Sequence, residues 1–477
     1  LADKFTFGSL FNSIDECAPL LDGRMHRYIN LDNAASTPAF TAVQLAVNQF
    51  LKYYSSVHRG NGFKSQLATH AYERARERVL RFFGAESETH TCIFSKNDTE
   101  STNKLARRFP FTPARNIVLV NLMEHHSNDL PWRANAQVVH VGIHTDGSLD
   151  ENDFDAKLAT YGQRIALVSM TGASNVTGMI NPIHRVAEKT HAIGAQFAVD
   201  CAQLAPHRKV DMLSMDDPAH LDCLFISAHK MYAPFGAGAL IGRKDTFCQG
   251  APDLPGGGEV EIVTKDDVVW SPPPERDEAG SPNTVGVVAL GAAISQLEAI
   301  EMQAVADHEA ELTAYALKRL PEVPGLRLFC CTDPEYAADR LGVIPFVIEH
   351  THHALVAAVL GYEYGIGVRS GCFCAHPYLL HLLGVSPEQS VEVRQRITAG
   401  DRSQVPGLIR ASFGLYNTRD EVDALVEALK EIAAGEYHGR YHQVTATGEF
   451  TPEGWDVCFE DYFSFDQGVI HNNEEIV

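Results

Sequence analysis

A chain of 477 residues, 45% hydrophobic and 21% charged, can bury a large core and has room for two or three domains. Its net charge of −22 disfavours nucleic acid and anionic membranes as partners, since both are held chiefly by Lys and Arg. No apolar run approaches the roughly 18–20 residues of a membrane span, and the opening "LADKFTFGSLFNSIDECAPLL" lacks a basic segment followed by an apolar one, so neither a membrane helix nor a secretion signal is predicted.

The ten cysteines follow no regular spacing. Without a secretion signal they read as reduced thiols, which predicts a cytoplasmic protein. Along the chain, β-branched runs alternate with helix-like stretches. "NIVLVN" (116–121), "QVVHVG" (137–142), "RIALVS" (164–169), "QFAVD" (196–200), "CLFIS" (223–227) and "GALIG" (238–242) read as buried strands. Between the third and fourth, "PIHRVAEKTHAIG" (182–194) opens with Pro, closes with Gly and has apolar residues at helical spacing. This alternation predicts an α/β fold with a mostly parallel sheet, whose ligands sit beyond the carboxyl ends of strands. The Pro- and Gly-rich segment 250–284 reads as ordered loop around a site, because an apolar helical pattern resumes at 285–300. Further strands are expected at 342–349, 365–369 and 408–413, and a helix at 419–435. The polar, punctuated stretch 382–407 reads as a flexible insertion, and 436–477 as an acidic extension rich in aromatics.

Chemistry-bearing residues gather at strand ends. "VDCAQ" places Asp200 at the end of one strand and Gln203 just after it; "ISAHKMYAP" places Ser227, His229 and Lys230 after another; "NLMEHHSN" places His125 and His126 after a third. A lone lysine is usually a solvated amine. Here its flanks are apolar or small, and an acid emerges from a neighbouring strand. A pyridoxal phosphate site needs this pair, a lysine to hold the cofactor and a carboxylate against its ring nitrogen.

The chain resembles the fold-type I pyridoxal phosphate enzymes of the class V aminotransferase group, and within it the SufS-type cysteine desulfurases and selenocysteine lyases. The resemblance rests on "LDNAAST" (31–37), "VHRG" (57–60), "MEHHSN" (123–128), "SNVTG" (174–178), "VDCAQ" (199–203), "SAHKMYAPFGAG" (227–238), "GGGE" (256–259), "EAGSPNT" (278–284), "VRSGCFCAHP" (368–377) and "RASFGLYNT" (410–418), which occur in the family's order across roughly 28–435. It implies a large, mostly parallel seven-stranded sheet domain at 30–300 and a smaller α/β C-terminal domain at 301–435 that carries the Cys374 loop. Residues 1–29 would be a segment packed on the small domain, and 436–477 an extension.

The resemblance also implies roles. Lys230 would hold pyridoxal 5'-phosphate, Asp200 would pair with the ring nitrogen, Gln203 would bond the phenolic oxygen, and His125 would stack on the ring. Thr99, Ser227 and His229 would bind the phosphate, Thr99 from the start of the helix-like "DTESTNKLARRF", where free N–H groups favour an anion. Thr284 would reach the phosphate of a second subunit, which implies a homodimer. Asn175 and Arg410 would hold the substrate carboxylate, with Arg369 near the active cysteine and His58 also on the substrate side. At 97–98 the chain has Asn-Asp where the family often has Gly-Thr; an acid there would repel a phosphate unless Asp98 caps the helix and points away.

"GCFCAHP" admits four readings. Cys372, Cys374, His376 and His381 could bind zinc, although C-x-C is tight for two ligands of one tetrahedron. A Cys372–Cys374 disulfide would be strained. Either thiol could simply pack. The family places its reactive cysteine at Cys374, which implies a nucleophile there and no metal; Cys372 could be inert or a second sulfur acceptor. Cys201 and the Cys330–Cys331 pair read as packing, and His350, His352 and His353 as a polar loop. The implied activity removes sulfur from L-cysteine as a Cys374 persulfide and releases alanine, passing sulfur to an acceptor protein. The alternative is another pyridoxal phosphate enzyme, a C–S or C–Se lyase, epimerase or aminotransferase, acting on a different amino acid.

Overall fold

Apolar runs with no polar face must be covered on both sides, which is the situation of a parallel sheet between helices. The computed structural model, which describes residues 7–58 and 60–467, has such a sheet. Arg59 of "VHRG", residues 1–6 and residues 468–477 lie outside the described residues. The strands are β1 (His90–Ser95), β2 (Ile117–Asn121), β3 (Gln137–Val141), β4 (Ile165–Thr171), β5 (Gln196–Asp200), β6 (Cys223–Ser227) and β7 (Gly238–Arg243), in the spatial order β1-β7-β6-β5-β4-β2-β3. From β6 through β3 neighbouring strands are parallel, while β7 runs antiparallel to both β6 and β1. β1 is not among the strands read from the sequence; its buried His90 and Thr91 disguise it. β3, one of the two edge strands, is only partly buried where a fully buried one was expected.

The central side chains Val118, Leu119, Phe197, Val199, Leu224 and Ile226 are fully buried. Each contributes about 1.5–3 kcal/mol by leaving water. The helical readings emerge as Ile183–Ala192, Thr284–Ile300 and Arg419–Ala434. A second, antiparallel sheet contains β8 (Leu326–Leu328), β9 (Val343–Ile348), β10 (Arg369–Gly371) and β11 (Leu408–Ser412) in the order β8-β9-β11-β10. Its core joins Ile344, Phe346 and Ile409 to Val422, Leu425 and Leu429, together with Ile29 and Leu31. Phe11 lies instead in the core of the large sheet, against Phe40, Tyr232 and Tyr416. The N-terminal segment therefore touches both cores.

The stretch 382–407 is not a flexible insertion. It holds a helix, Pro387–Thr398, opened by a capping box in which the Ser386 hydroxyl accepts from the Gln389 N–H and the Gln389 side chain accepts from the Ser386 N–H. Pro387 at its first turn suits a helix start. Downstream, the Arg402 N–H donates to Thr445 O at 2.8 Å, and Gln443 Nε2 donates to Ser403 O at 3.0 Å. The partner segment is a hairpin, Tyr441–Gln443 with Phe450–Pro452. Among the described residues no single helix is long and apolar enough to cross a membrane.

Gly238, the first residue of β7, fixes how closely the loop after β1 can lie on the sheet. A Cβ there would meet Asn97 Cα at 2.7 Å and Ile226 O at 2.8 Å, both backbone atoms. Gly238→Ala is expected to lower stability by about 1–3 kcal/mol, the usual cost of overpacking, and to displace Asn97. Urea unfolding checks the first effect; an unchanged midpoint would contradict it.

Candidate active site

The carboxyl ends of β1, β2, β4, β5 and β6 open on one side of the sheet. Directly beyond them lies a cavity of about 520 Å³ lined from the large sheet by Asp98, Thr99, His125, Asn175, Asp200, Gln203, Ser227, His229 and Lys230. The second sheet contributes Arg369, Cys372, Cys374 and Arg410. Thus the parallel sheet and the second sheet each supply one wall.

At the floor, Lys230 ends the short turn Ala228–Lys230 that follows β6. Burial lowers its pKa, while Asp200 and Asp98 act in the opposite direction. Asp200, at the end of β5, accepts the Ala202 N–H at 2.9 Å. Burial raises its pKa and Lys230 opposes that rise. Asp98 departs from expectation. It neither caps the helix nor points away: Asn97 is the cap, accepting the Glu100 N–H at 3.0 Å. Asp98 is 5% exposed and electrostatically coupled to Asp200 and Lys230, and its Oδ1 has no hydrogen-bond partner. Burial and the Asp200 charge push its pKa well upward, against the opposing effect of Lys230.

Above this floor is an anion cradle. The helix Asp98–Arg108 presents its N-terminus, and three hydroxyls join it. Thr99 Oγ1 and Ser127 Oγ are 2.7 Å apart, and Ser227 Oγ accepts the Asp98 N–H at 2.9 Å. His229 lies beside them with its Nδ1 3.2 Å from Ser36 Oγ, and burial lowers its pKa to about 4. Ser127 escaped the sequence reading; its signal was the hydroxyl two residues after His125. His125 Nδ1 accepts the Ser127 N–H at 3.1 Å, which puts the proton of the neutral ring on Nε2. Burial, reinforced by Lys230, holds His125 at a pKa of about 3. Gln203 donates one N–H to Ala34 O at 2.7 Å and keeps the other for the cavity.

The opposite wall is more tightly tied than the sequence suggested. Arg410 is 2% exposed and already donates to Asp32 Oδ1 at 2.8 Å and Asn175 O at 2.9 Å, leaving its buried Nε unpartnered. Arg369, its cross-strand partner, reaches Asp32 from the other side at 3.8 Å. The Asp32 carboxylate thus occupies the fork expected to receive a substrate carboxylate. Asn175 Nδ2 donates to Phe373 O at 2.7 Å, and the Phe373 ring lies 4.8 Å from the Arg410 guanidinium. Both side chains anchor the cysteine loop, which leaves Cys374 exposed in the cavity and Cys372 half-buried.

Two expected residues stand elsewhere. Thr284 and His58 line a second cavity of about 1040 Å³ with Gly257, Gly258 and Ser281. His352 and His353, read as a polar loop, do line the first cavity, as do Ile397, Arg402, Val405 and residues 447–449 of the insertion and hairpin. Far from both, His191, His220 and Asp222 bring ligand-type atoms together. Asp222 is already satisfied there, accepting the Phe197 N–H at 2.8 Å and pairing with Arg243 at 3.1 Å.

A family model for aminotransferase class-V matches residues 29–425. A probable cysteine desulfurase of Streptomyces coelicolor is 34% identical over 87% of this chain and 95% of its own. A cysteine desulfurase of Dickeya dadantii is 36% identical over 84% and 91%. The apo structure of a cysteine desulfurase from Thermococcus onnurineus superposes with a TM-score of 0.74 at 30% identity, covering 86% of this chain and 95% of that one. The cysteine desulfurase CsdA from Escherichia coli, in an S-sulfonic acid form, gives 0.71 at 29% identity over 86% and 96%. Enzymes of this kind use pyridoxal phosphate. The residues present fit that group: a buried amine, a buried carboxylate, a flat neutral ring and a hydroxyl-lined helix N-terminus. Asp98 fits because burial and the Asp200 charge favour its protonated form over the ionised acid that would repel a phosphate.

As pH rises through the Asp98 titration, the new charge is expected to weaken affinity for pyridoxal phosphate. Asp98→Asn removes that component of the fall, since an amide does not ionise. Spectroscopic titration across pH checks this; superimposable pH profiles for the two proteins would contradict it.

Proposed function

Because the chain belongs to the class V aminotransferase family, we propose that it is a pyridoxal phosphate-dependent cysteine desulfurase that takes sulfur from L-cysteine onto Cys374 and releases alanine. The observation that carries this reading is the placement of an exposed Cys374 thiol in the same cavity as the buried amine Lys230, close enough for its charge to act on both Lys230 and Arg410. Neither transamination nor epimerisation needs a thiol at that point.

When bound through Lys230, the cofactor supplies an electron sink that acidifies the substrate's α-C–H. The residues of this chain do the rest. Asp200 would face the ring nitrogen, and His125 would cover one face of the ring. Arg410 and Asn175 orient the substrate carboxylate once it displaces Asp32 from the fork; bidentate Arg binding suits that exchange. Burial lowers the Lys230 pKa, so its free amine accepts the α-proton. The Cys374 thiolate then attacks the substrate sulfur. One C–S bond breaks, one S–S bond forms, and the substrate carbon skeleton leaves as alanine after reprotonation. Net, L-cysteine and a thiol become alanine and a persulfide, with no external oxidant.

A larger amino acid handled by a C–S lyase, epimerase or aminotransferase is the second reading. The extra wall of Ile397, Arg402 and Val405 favours it, but it leaves Cys374 without a task. We further propose a cytoplasmic homodimer, with the cavity at Thr284 and His58 completing a partner's site, and a sulfur acceptor protein. Residues 30–300 and 301–435 are taken as the two domains.

Lys230→Ala is expected to lose the visible absorbance of lysine-bound cofactor while the far-UV spectrum is kept; cofactor fixed covalently to the variant by borohydride reduction, as in wild type, would contradict the assignment. Cys374→Ser is expected to keep cofactor absorbance and lose L-cysteine desulfuration by about a hundredfold or more, as when a nucleophile is removed. Arg410→Lys is expected to raise KM for cysteine by about 10–100-fold, the scale of a charge-assisted hydrogen bond. An unchanged KM would place the carboxylate elsewhere.

A further inference from the structure

Cys372 is not isolated. Its Sγ lies 3.0 Å from His376 Nε2, and His376 Nδ1 lies 3.1 Å from His126 Nε2. The His376 backbone N–H also points at His126 Nε2, at 3.4 Å, which makes that nitrogen an acceptor. The proton between the rings therefore belongs to His376 Nδ1, and His376 Nε2 carries the lone pair facing the thiol. The two rings are parallel, 2° apart in orientation, with centroids 5.0 Å apart. Burial lowers the pKa of both histidines, so both are neutral and able to take a proton. The His126 N–H donates to Cys374 O at 2.8 Å, tying the histidine pair to the second cysteine.

The loop between the thiols is bent for contact. Phe373 and Cys374 have φ of 52° and 55°, a left-handed conformation that costs a non-glycine residue roughly 1–2 kcal/mol. In this turn the Cys374 N–H points at the Cys372 sulfur, while burial and the Cys374 charge raise the Cys372 pKa, so the thiol needs a base to give up its proton. Arg402, brought by the insertion and held by the hairpin, acts on Cys372 and on His376, and its guanidinium is unpaired among the described residues.

We propose that Cys372 is a second sulfur carrier that takes the terminal sulfur from the Cys374 persulfide, with His376 as its base and His126 as the residue that positions His376. The proposal rests on the desulfurase reading above. The Cys372 proton passes to His376 Nε2. The Cys372 thiolate attacks the terminal sulfur on Cys374; a new S–S bond forms on Cys372 and the Cys374 S–S bond breaks. Cys374 leaves as a thiolate, stabilised by the positive charge of Arg410, and is reprotonated from His376. One sulfur atom moves between two thiols, so the step is redox-neutral. The persulfide anion on Cys372 then faces Arg402, beside the wall made by the insertion and hairpin. Cys374 is free to act on another substrate molecule while the first sulfur waits.

The test uses holoenzyme and a few equivalents of L-cysteine without added thiol. Alanine is quantified, the protein is alkylated, and fragmentation between Cys372 and Cys374 locates the sulfur. Wild type is expected to release a second equivalent of alanine per protomer and to carry persulfide on both cysteines, Cys374 first. Cys372→Ser is expected to stop after the first equivalent with persulfide on Cys374. His376→Asn is expected to keep the first phase and slow the second by about tenfold or more, the scale of a general base. Alanine with persulfide only on Cys374 in wild type would overturn the relay and leave the desulfurase reading standing. A Cys372–Cys374 disulfide with released sulfide would likewise overturn it. Persulfide on Cys372 in Cys374→Ser would overturn the order of transfer. Absence of both alanine and persulfide would overturn the desulfurase reading itself.

Discussion

A buried amine is the constraint around which this molecule is arranged. Taking Lys230 out of water disfavours its charge, and only nearby acids oppose that effect. The parallel sheet brings one of them close, because β5 and β6 are adjacent and Asp200 stands opposite Phe225, two residues before β6 ends. Asp200 comes from the first, Lys230 follows the second, and Asp98 enters from beyond β1 across the antiparallel β7. Two acids against one amine is one negative charge too many for a buried pocket. Burial and the Asp200 charge favour a proton on Asp98, whose Oδ1 has no hydrogen-bond partner. The anion cradle then tolerates an aspartate where a small or hydroxylated residue would be simpler.

The same economy of charge governs the other wall. Arg410 is too buried to stand unpaired, and Asp32 satisfies it in the absence of substrate. In the proposed reaction a substrate carboxylate would exchange with Asp32, which lies within reach of the exposed Arg369. The exchange is coupled to the cysteine loop, because Asn175 and Arg410 hold Phe373 as well as the fork. Substrate binding and the position of Cys374 are therefore linked through the same two side chains.

Much of this was legible in the sequence, for physical reasons that differ by residue. Strands buried on both faces are plain apolar runs, and Asp200, Ser227 and Lys230 follow such runs directly. β1 was hidden because its buried His90 and Thr91 break the apolar pattern. The helix Pro387–Thr398 was hidden by its polar composition, although "SPEQ" carried its capping box in plain view. Ser127 was overshadowed by the two histidines before it. The role of Asp98 was not readable, because whether an acid caps a helix or turns inward depends on what lies across the sheet. The Cys372–His376–His126 chain needed a contact across 250 residues, which spacing cannot reveal. Thr284 and His58, read from separate motifs, line a second cavity and not the one that holds Lys230.

The central claim is that the cavity converts L-cysteine by sulfur transfer to a protein thiol and not by elimination. The direct measurement is the identity of the carbon product when the holoenzyme is given L-cysteine. Alanine, in amounts matching the sulfur bound to the protein, is the result the account predicts. Pyruvate and ammonia, with no sulfur on Cys374, would contradict it.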